Sequence, residues 1–556
     1  MTASRHLCPA PADDCPPQPF TGPGPTRTHC RLTGSLRPLA SGSDPCEMVQ
    51  CPSDDRPMPF GGSGLSSAHL LGGVTSNILL LRDQAAKGPR LAAAAAVASP
   101  VELDNLGQQL LREISALALT LEADHDADGA DSPLDAEDML ASFVAPSEAT
   151  PGRTLAQQLV NLRRSFDEHY ATVRYSGAGA APWRDVESLQ SLLDPETLLI
   201  SLFLGTDADD HVAVQSQAIT AGSFAAACTS IPFESSLIQM THDGMTLTQS
   251  PLAVIVEQLR RHLVAEPDNL FDDVEAEAGA ELRTGLVTWF GPFAARLSDW
   301  HVAGLNHLVI WPQGPLHYIP WHLYSCPGTD RVLAEDWAVT TIPALAVLGR
   351  PSTAATLGLV AIGCADTGLR YGLSRLSGVR EQAAMLAELT GGIAVSEPHA
   401  TVATVRSLIP HARYVHFAVH GSQVAEAPAF QCMYLTQDGD AGGRLFAYQI
   451  GEMDLRSVEL VTLAACESAL GRFDVGDNLR GIPAAFLTAG ARAVIGAMWP
   501  VETAAALSFF TALYRALHNG RSVRDAFHDA QLATRATHSQ YRDWGAFTFV
   551  GDGGTK

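Results

Sequence analysis

Apolar residues recur along this chain with two different periods, and the change from one to the other falls near residue 195. Between about 66 and 190 the spacing is three and four. Leu103, Leu106, Leu110, Leu111 and Ile114 make one stripe and Leu155, Leu159, Leu162 and Phe166 another, which predicts amphipathic helices. No repeat of about 34 residues runs through them, so they read as a packing or adaptor layer. From 195 onward short apolar runs alternate with helical stretches. Strands are expected at 198–204, 212–215 and 307–311. After Gly358 the alternation becomes regular: strands 359–362, 393–396, 414–419, 460–465, 493–498 and 546–550, helices 378–389, 401–409, 479–489, 503–517 and 523–537, and a hairpin near 432–436. Such alternation predicts an α/β fold with a parallel, helix-covered sheet.

Composition adds a third region and removes several function classes. Residues 1–65 are rich in Pro, Gly, Ser and Asp without period and are expected to be a disordered tail, or to lie upstream of the true start. A total of 556 residues calls for two or three structural units. The 36 basic against 60 acidic residues leave a net charge of −24, which argues against a nucleic-acid binder and against an anionic-membrane binder. Basic or neutral protein partners fit better. Five of the ten cysteines lie in the first 51 residues and the others are single, with no C-x-x-C pair at zinc-site spacing, so no metal and no cofactor is expected. Neither a signal-peptide pattern nor an apolar run of 18 residues occurs, and a cytoplasmic protein with reduced thiols is expected.

Candidate chemistry lies at two strand ends. The run Tyr414-Val415-His416-Phe417-Ala418-Val419 delivers His420 to Gly421, and 46 positions later Leu460-Val461-Thr462-Leu463-Ala464-Ala465 delivers Cys466 to a polar turn. Functional groups of parallel sheets gather beyond the carboxyl ends of strands. An imidazole beside a thiol suffices for acyl transfer without a metal. The N–H groups of Gly421 and Cys466 are candidate oxyanion donors. A single Cys or His at such a position is also compatible with ordinary packing. His416 lies on the same strand face as His420 but about 13 Å away at about 3.3 Å per residue, too far to share an ion, and is read as structural.

A separate spacing matches a calcium loop: Asp124, Asp126, Asp128 and Asp135 fall at its acidic positions one, three, five and twelve, and Gly129 at its turn position six. Pro133 inside the loop and Asp131 at position eight favour a solvated acidic linker instead.

The segments around His420 and Cys466, together with Gly490-Ala491-Arg492-Ala493-Val494-Ile495-Gly496-Ala497-Met498-Trp499-Pro500-Val501, resemble the CHAT family, caspase-like cysteine peptidases of the clan that also holds separase. Leu316-His317-Tyr318-Ile319-Pro320-Trp321, Leu376-Ser377-Gly378 with Glu381, and the closing run Trp544 to Gly551 extend the resemblance over about 195–552. It implies a three-layer caspase-like fold with a mainly parallel sheet. In that arrangement 195–350 is a pseudo-protease half, 355–552 is the catalytic half, and a helical segment precedes both. The family's usual long tetratricopeptide array is missing from that helical segment. The resemblance also implies a cysteine endopeptidase, bacterial in type, that hydrolyses a peptide bond in a specific protein substrate, with Cys466 as nucleophile and His420 as base, under the control of an activating protein or ligand. A silent caspase-like scaffold and another thiol hydrolase are the alternatives. Glu502 falls where separase-like sequences carry an acid that selects basic residues, although an acid there also suits the first turn of the following helix. Asp474 and Asp477, in the loop from Gly471 to Asp477, are further substrate-binding candidates, and two glycines in that loop suit it to movement.

Overall fold

The computed structural model describes residues 104–128, 151–176, 186–206, 212–230, 239–242, 245–248, 285–329, 331–422, 424, 427–438, 442–464, 472–473 and 479–554. The expected tail at 1–65 lies outside the described residues.

Among the described residues, the helical period of the N-terminal region is realised in the long helices α1 (Asn105–Asp128) and α2 (Pro151–Ser176). Their apolar stripes meet over Ile114, Leu159, Phe166 and Tyr170, and the same cluster takes in Ala427, Ala429 and Phe430 from the far end of the chain. Helix α1 continues through Asp128, so Asp124, Asp126 and Asp128 lie on helical backbone and not in the turn that a calcium loop requires. Asp135 lies outside the described residues.

Eleven strands form one sheet: β1 (Thr197–Thr206), β2 (Val212–Thr220), β3 (Ser223–Ser230), β4 (His307–Trp311), β5 (Ala338–Thr341), β6 (Leu357–Gly363), β7 (Ile393–Ser396), β8 (Ala412–Ala418), β9 (Leu460–Leu463), β10 (Ala493–Ala497) and β11 (Phe547–Gly551). The spatial order is β3-β2-β1-β4-β5-β11-β10-β9-β8-β6-β7. Neighbours are parallel except β1 with β2, β2 with β3, and β10 with β11. The sheet is therefore mainly parallel, with antiparallel pairing at one edge and at the centre. Strand direction reverses between β11 and β10, where Ala493 faces Gly551 and Ala497 faces Phe547.

Both faces of the sheet are covered, which is why its strands read as continuous apolar runs. Helices α3 (Val379–Thr390), α4 (Val402–Leu408), α5 (Ala447–Gly451), α6 (Ile482–Ala489), α7 (Thr503–His518) and α8 (Val523–Thr537) flank the strands from β6 to β11, with the short α9 (Tyr541–Trp544) before β11. Residues of α3, α7 and α8 pack with Tyr414, Leu460 and Ile495 on one face. Those of α4, α5 and α6 pack with Val415, Phe417 and Val461 on the other. Alternation along β8 thus sends successive side chains to different helical layers.

The strands contributed by 197–341 and those contributed by 357–551 are tied by buried polar groups as well as by the ladder. Arg524 of α8 donates to Asp194 at 2.8 Å and to Thr197 at 3.1 Å, and His307 at the start of β4 bonds Asp525 at 3.0 Å and lies 3.7 Å from Asp194. Burial pushes the His307 imidazole down, but the two carboxylates outweigh it and hold its pKa above the ordinary 6.5. Chiefly through the His307 hydrogen bond, Asp525 is pulled down to about 2. A raised imidazole pKa stabilises the fold fully below 6.5 and stops doing so as pH climbs through the folded value. A lowered carboxyl pKa stabilises above 3.8 and fails as pH falls towards 2. His307→Gln is accordingly expected to cost about 1.5–3 kcal/mol between these limits, the worth of hydrogen bonds to charged groups. The gap in melting temperature to the unmodified protein should narrow at pH 9; an equal gap at pH 5.5 and pH 9 would contradict the assignment.

Candidate active site

Strands β8 and β9 are parallel neighbours in the register Tyr414 to Leu460 through Phe417 to Leu463. The Ala464 N–H continues the ladder, donating to the Phe417 carbonyl at 2.7 Å. Both predicted strand ends therefore emerge side by side from the same rim of the sheet. His420 is described; Cys466, Asp474 and Asp477 lie outside the described residues.

His420 is half-buried, and its Nε2 lies 2.6 Å from the Ser374 carbonyl oxygen. A carbonyl oxygen only accepts, so Nε2 carries the proton and Nδ1 of the neutral ring is the free base. Ser374 belongs to the segment between β6 and α3, which is braced from several sides. The Leu376 N–H donates to the Ala365 carbonyl at 3.0 Å and the Thr367 hydroxyl to the Tyr434 carbonyl at 2.9 Å. Arg380 grips Glu397 at 2.7 Å and Asp366 at 2.5 Å, while Arg375 meets Asp366 at 3.1 Å. Burial alone would raise the Glu397 carboxyl; the Arg380 and Asp366 hydrogen bonds outweigh it and hold it below its ordinary value. Gly368 lets this segment lie against the imidazole, since a Cβ there would come within 2.6 Å of His420 Cδ2. The orienting carbonyl and the glycine have no sequence signature beyond the Leu376-Ser377-Gly378 turn beside them.

Gly421 is exposed and opens a small three-stranded sheet in which it faces Met433, with 432–434 pairing in turn with 444–446. The Tyr434 N–H donates to the His420 carbonyl at 2.9 Å, which makes Gly421 and Met433 a non-hydrogen-bonded pair. The Gly421 N–H thus points out of this ladder.

His416 is fully buried. Its Nδ1 bonds the Thr462 hydroxyl at 2.8 Å, and that hydroxyl also meets Tyr514 at 2.6 Å. Phe510 and Tyr514 pack edge-on against the ring, and burial pushes its pKa down to about 3. It is a neutral packing residue, away from the rim. Cys364, just past β6, is buried too, and desolvation followed by the Glu397 charge pushes its thiol well above the ordinary range. It is a poor nucleophile.

Glu502 is the N-cap of α7, exposed, and makes no cap hydrogen bond to that helix. Its carboxylate converges with His538 and Asp543, one ligand-type atom of each lying within 4.8 Å of the others. It stands beyond the carboxyl end of β10, on the rim from which His420 emerges, two strands away.

Residues 282–552 match the family model of the CHAT domain. Tetratricopeptide repeat protein 28 of Mus musculus is 27% identical over 295 residues, covering 44% of this chain and 12% of that protein, and the Homo sapiens protein of the same name is 24% identical over 297 residues with the same coverage. The chain thus spans about an eighth of the length of these relatives. Among solved structures, the Arg-specific cysteine proteinase gingipain R aligns at a TM-score of 0.35 and 12% identity, covering 54% of this chain and 74% of that one. The Saccharomyces cerevisiae separase in its complex with securin aligns at 0.37 and 10% identity, covering 81% and 38%.

Proposed function

We propose that this protein, whose residues 282–552 match the family model of the CHAT domain, is a cysteine endopeptidase in which Cys466 is the nucleophile and His420 its base. The observation that carries the reading is the shared rim of β8 and β9. Cys466 follows Ala464 by two residues, a reach of at most about 7 Å, and His420 follows Ala418 by two on a strand about 4.8 Å away.

In this mechanism the free Nδ1 of His420 takes the Cys466 thiol proton while the Ser374 carbonyl holds Nε2–H. The thiolate attacks the scissile carbonyl carbon, and the oxygen that gains the charge is met by the N–H groups of Gly421 and Cys466. The imidazolium then protonates the leaving amine. Water, deprotonated by the same imidazole, hydrolyses the thioester and restores the thiol. Glu502 and Asp477 are the acids offered to a basic side chain of the substrate. The substrate is a protein, the setting cytoplasmic, and an activating protein or ligand controls the segment after Cys466.

Incubation with an electrophilic peptide carrying a basic residue, followed by mass spectrometry, should place the adduct on Cys466 and not on Cys364. Cys466→Ala should abolish both labelling and cleavage of a partner protein. Unchanged labelling in that variant would overturn the mechanism. A stable, uncleaved complex that forms equally well with Cys466→Ala would mark a scaffold instead.

A further inference from the structure

Helix α2 places an acid where it touches both segments that leave the proposed dyad. Asp167 is 1% exposed, and its carboxylate accepts the Ala429 N–H at 2.8 Å and pairs with Arg480 at 2.5 Å. Arg480 also donates to the Asp167 backbone carbonyl at 2.9 Å. Ala429 belongs to the segment that follows His420. Five residues on, Tyr434 bonds the His420 carbonyl, and Cys432 and Met433 pair with Ser422 and Gly421. Arg480 ends the segment that follows Cys466: the pairs Arg472 with Arg480 and Phe473 with Leu479 bring that segment back on itself before α6 begins. The next residue, Gly481, is fixed at φ +100° with its Cα side against Gln431, whose side-chain oxygen accepts the Ile482 N–H at 3.1 Å. Gln431 lies two residues from Ala429, so the two segments are joined here a second time.

The surroundings are apolar. Phe166 is fully buried among Phe430 and Tyr448, with Tyr170 and Phe446 completing the aromatic cluster. Apolar contact alone would dock α2 there, and a buried ion pair adds little net stability over well-packed hydrophobic groups. What it adds is register. A carboxylate that must meet one N–H and one guanidinium fixes where both lie.

We infer that Asp167 is a positioning residue for the dyad: through Ala429 and Arg480 it sets the spacing of the segments that carry His420 and Cys466, and it makes the N-terminal helical pair part of the active site's support. This rests on the peptidase reading for its kinetic test and on geometry alone for its spectroscopic one.

The test compares full-length Asp167→Asn, Asp167→Glu and Ile114→Ala, the last a buried residue of α1 in the same apolar cluster that loosens docking without touching the ion pair. All are measured well below their melting temperatures. Asp167→Asn should slow labelling of Cys466 by a peptide electrophile about 10- to 100-fold, the scale of a misplaced reacting group. Asp167→Glu should recover part of that loss, and Ile114→Ala should label within about threefold of the unmodified protein at equal folded fraction. If Asp167→Asn does not fold, Arg480→Lys, which keeps the charge and loses the fork, takes its place. The ¹⁵N resonances of the His420 ring, assigned with His420→Gln, should also move in Asp167→Asn. Should the unmodified protein fail to label at Cys466, the peptidase reading falls and the His420 resonances still decide this inference. Unmoved resonances with unmodified labelling would overturn it, as would an equal loss in Ile114→Ala.

Discussion

His420→Gln is expected to slow alkylation of Cys466 by a peptide electrophile, and cleavage of a protein substrate, by about 10²- to 10⁴-fold, the usual worth of a positioned general base. The size of the effect follows from the tautomer. With Nε2–H spent on the Ser374 carbonyl at 2.6 Å, Nδ1 is the ring's one free lone pair, and a glutamine amide supplies no comparable base. The residual reaction should regain rate as pH rises towards the intrinsic thiol pKa, because hydroxide then does what the ring did. Stopped-flow labelling from pH 6 to pH 9 separates the cases. A His420→Gln profile parallel to that of the unmodified protein would mean that the imidazole takes no proton. The fold should not change, since the residue lies beyond the end of β8.

Trp321→Ala should be the most damaging single truncation in the part of the molecule without the dyad, costing about 3–5 kcal/mol. The indole is 1% exposed and lies edge-on to Trp289 at 6.5 Å and tilted against Phe290 and Tyr324, both at 5.7 Å. Its cluster also takes in Met498, Trp499 and Trp544, which belong to the segments beyond β10 and before β11. The cavity would therefore open on both sides of the seam between β5 and β11. Urea unfolding followed at a Cys466 probe should shift together with bulk circular dichroism. Two separate transitions, with the probe unaffected, would show that the two sets of strands unfold independently. Trp321→Phe should cost much less, because the indole Nε1 has no hydrogen-bond partner among the described residues.

Much of the fold was legible because period and punctuation agreed. The strands at 307–311 and 393–396 and the helix at 523–537 lie where the apolar runs and their polar borders place them. Strand β3 was not foreseen: Ala225, Ala226 and Ala227 have weak strand preference, and pairing with β2 supplies what propensity lacks. Residues 479–480, read as helix, pair with 472–473 instead, and α6 starts only at Ile482 after Gly481 at φ +100°. Strand direction was invisible as well. The run at 546–550 reads like its neighbours, yet lies antiparallel to β10, because alternation records burial and not polarity. At the site, His420 declared itself through its position at a strand end. The groups that orient it did not: the Ser374 carbonyl is a backbone group of a kind every residue offers, and Gly368 matters for an atom that it lacks. Asp167 was just as hidden, as one acid on a helix with polar neighbours until the tertiary fold buries it.

The reversal of direction between β11 and β10 has a geometric consequence for the molecule as a whole. Strands β4 and β5 run opposite to β8 and β9, so Thr341, which pairs with Val550, ends at the rim where β10 begins, about five residues or roughly 17 Å along the strand from the rim where β10 ends, at about 3.3 Å each. The two sets of strands are joined like a pair of arrows laid side by side and pointing apart. Any chemistry at the strand tips of the first set would occur at the opposite pole of the particle, facing different solvent and out of reach of a substrate held by the second.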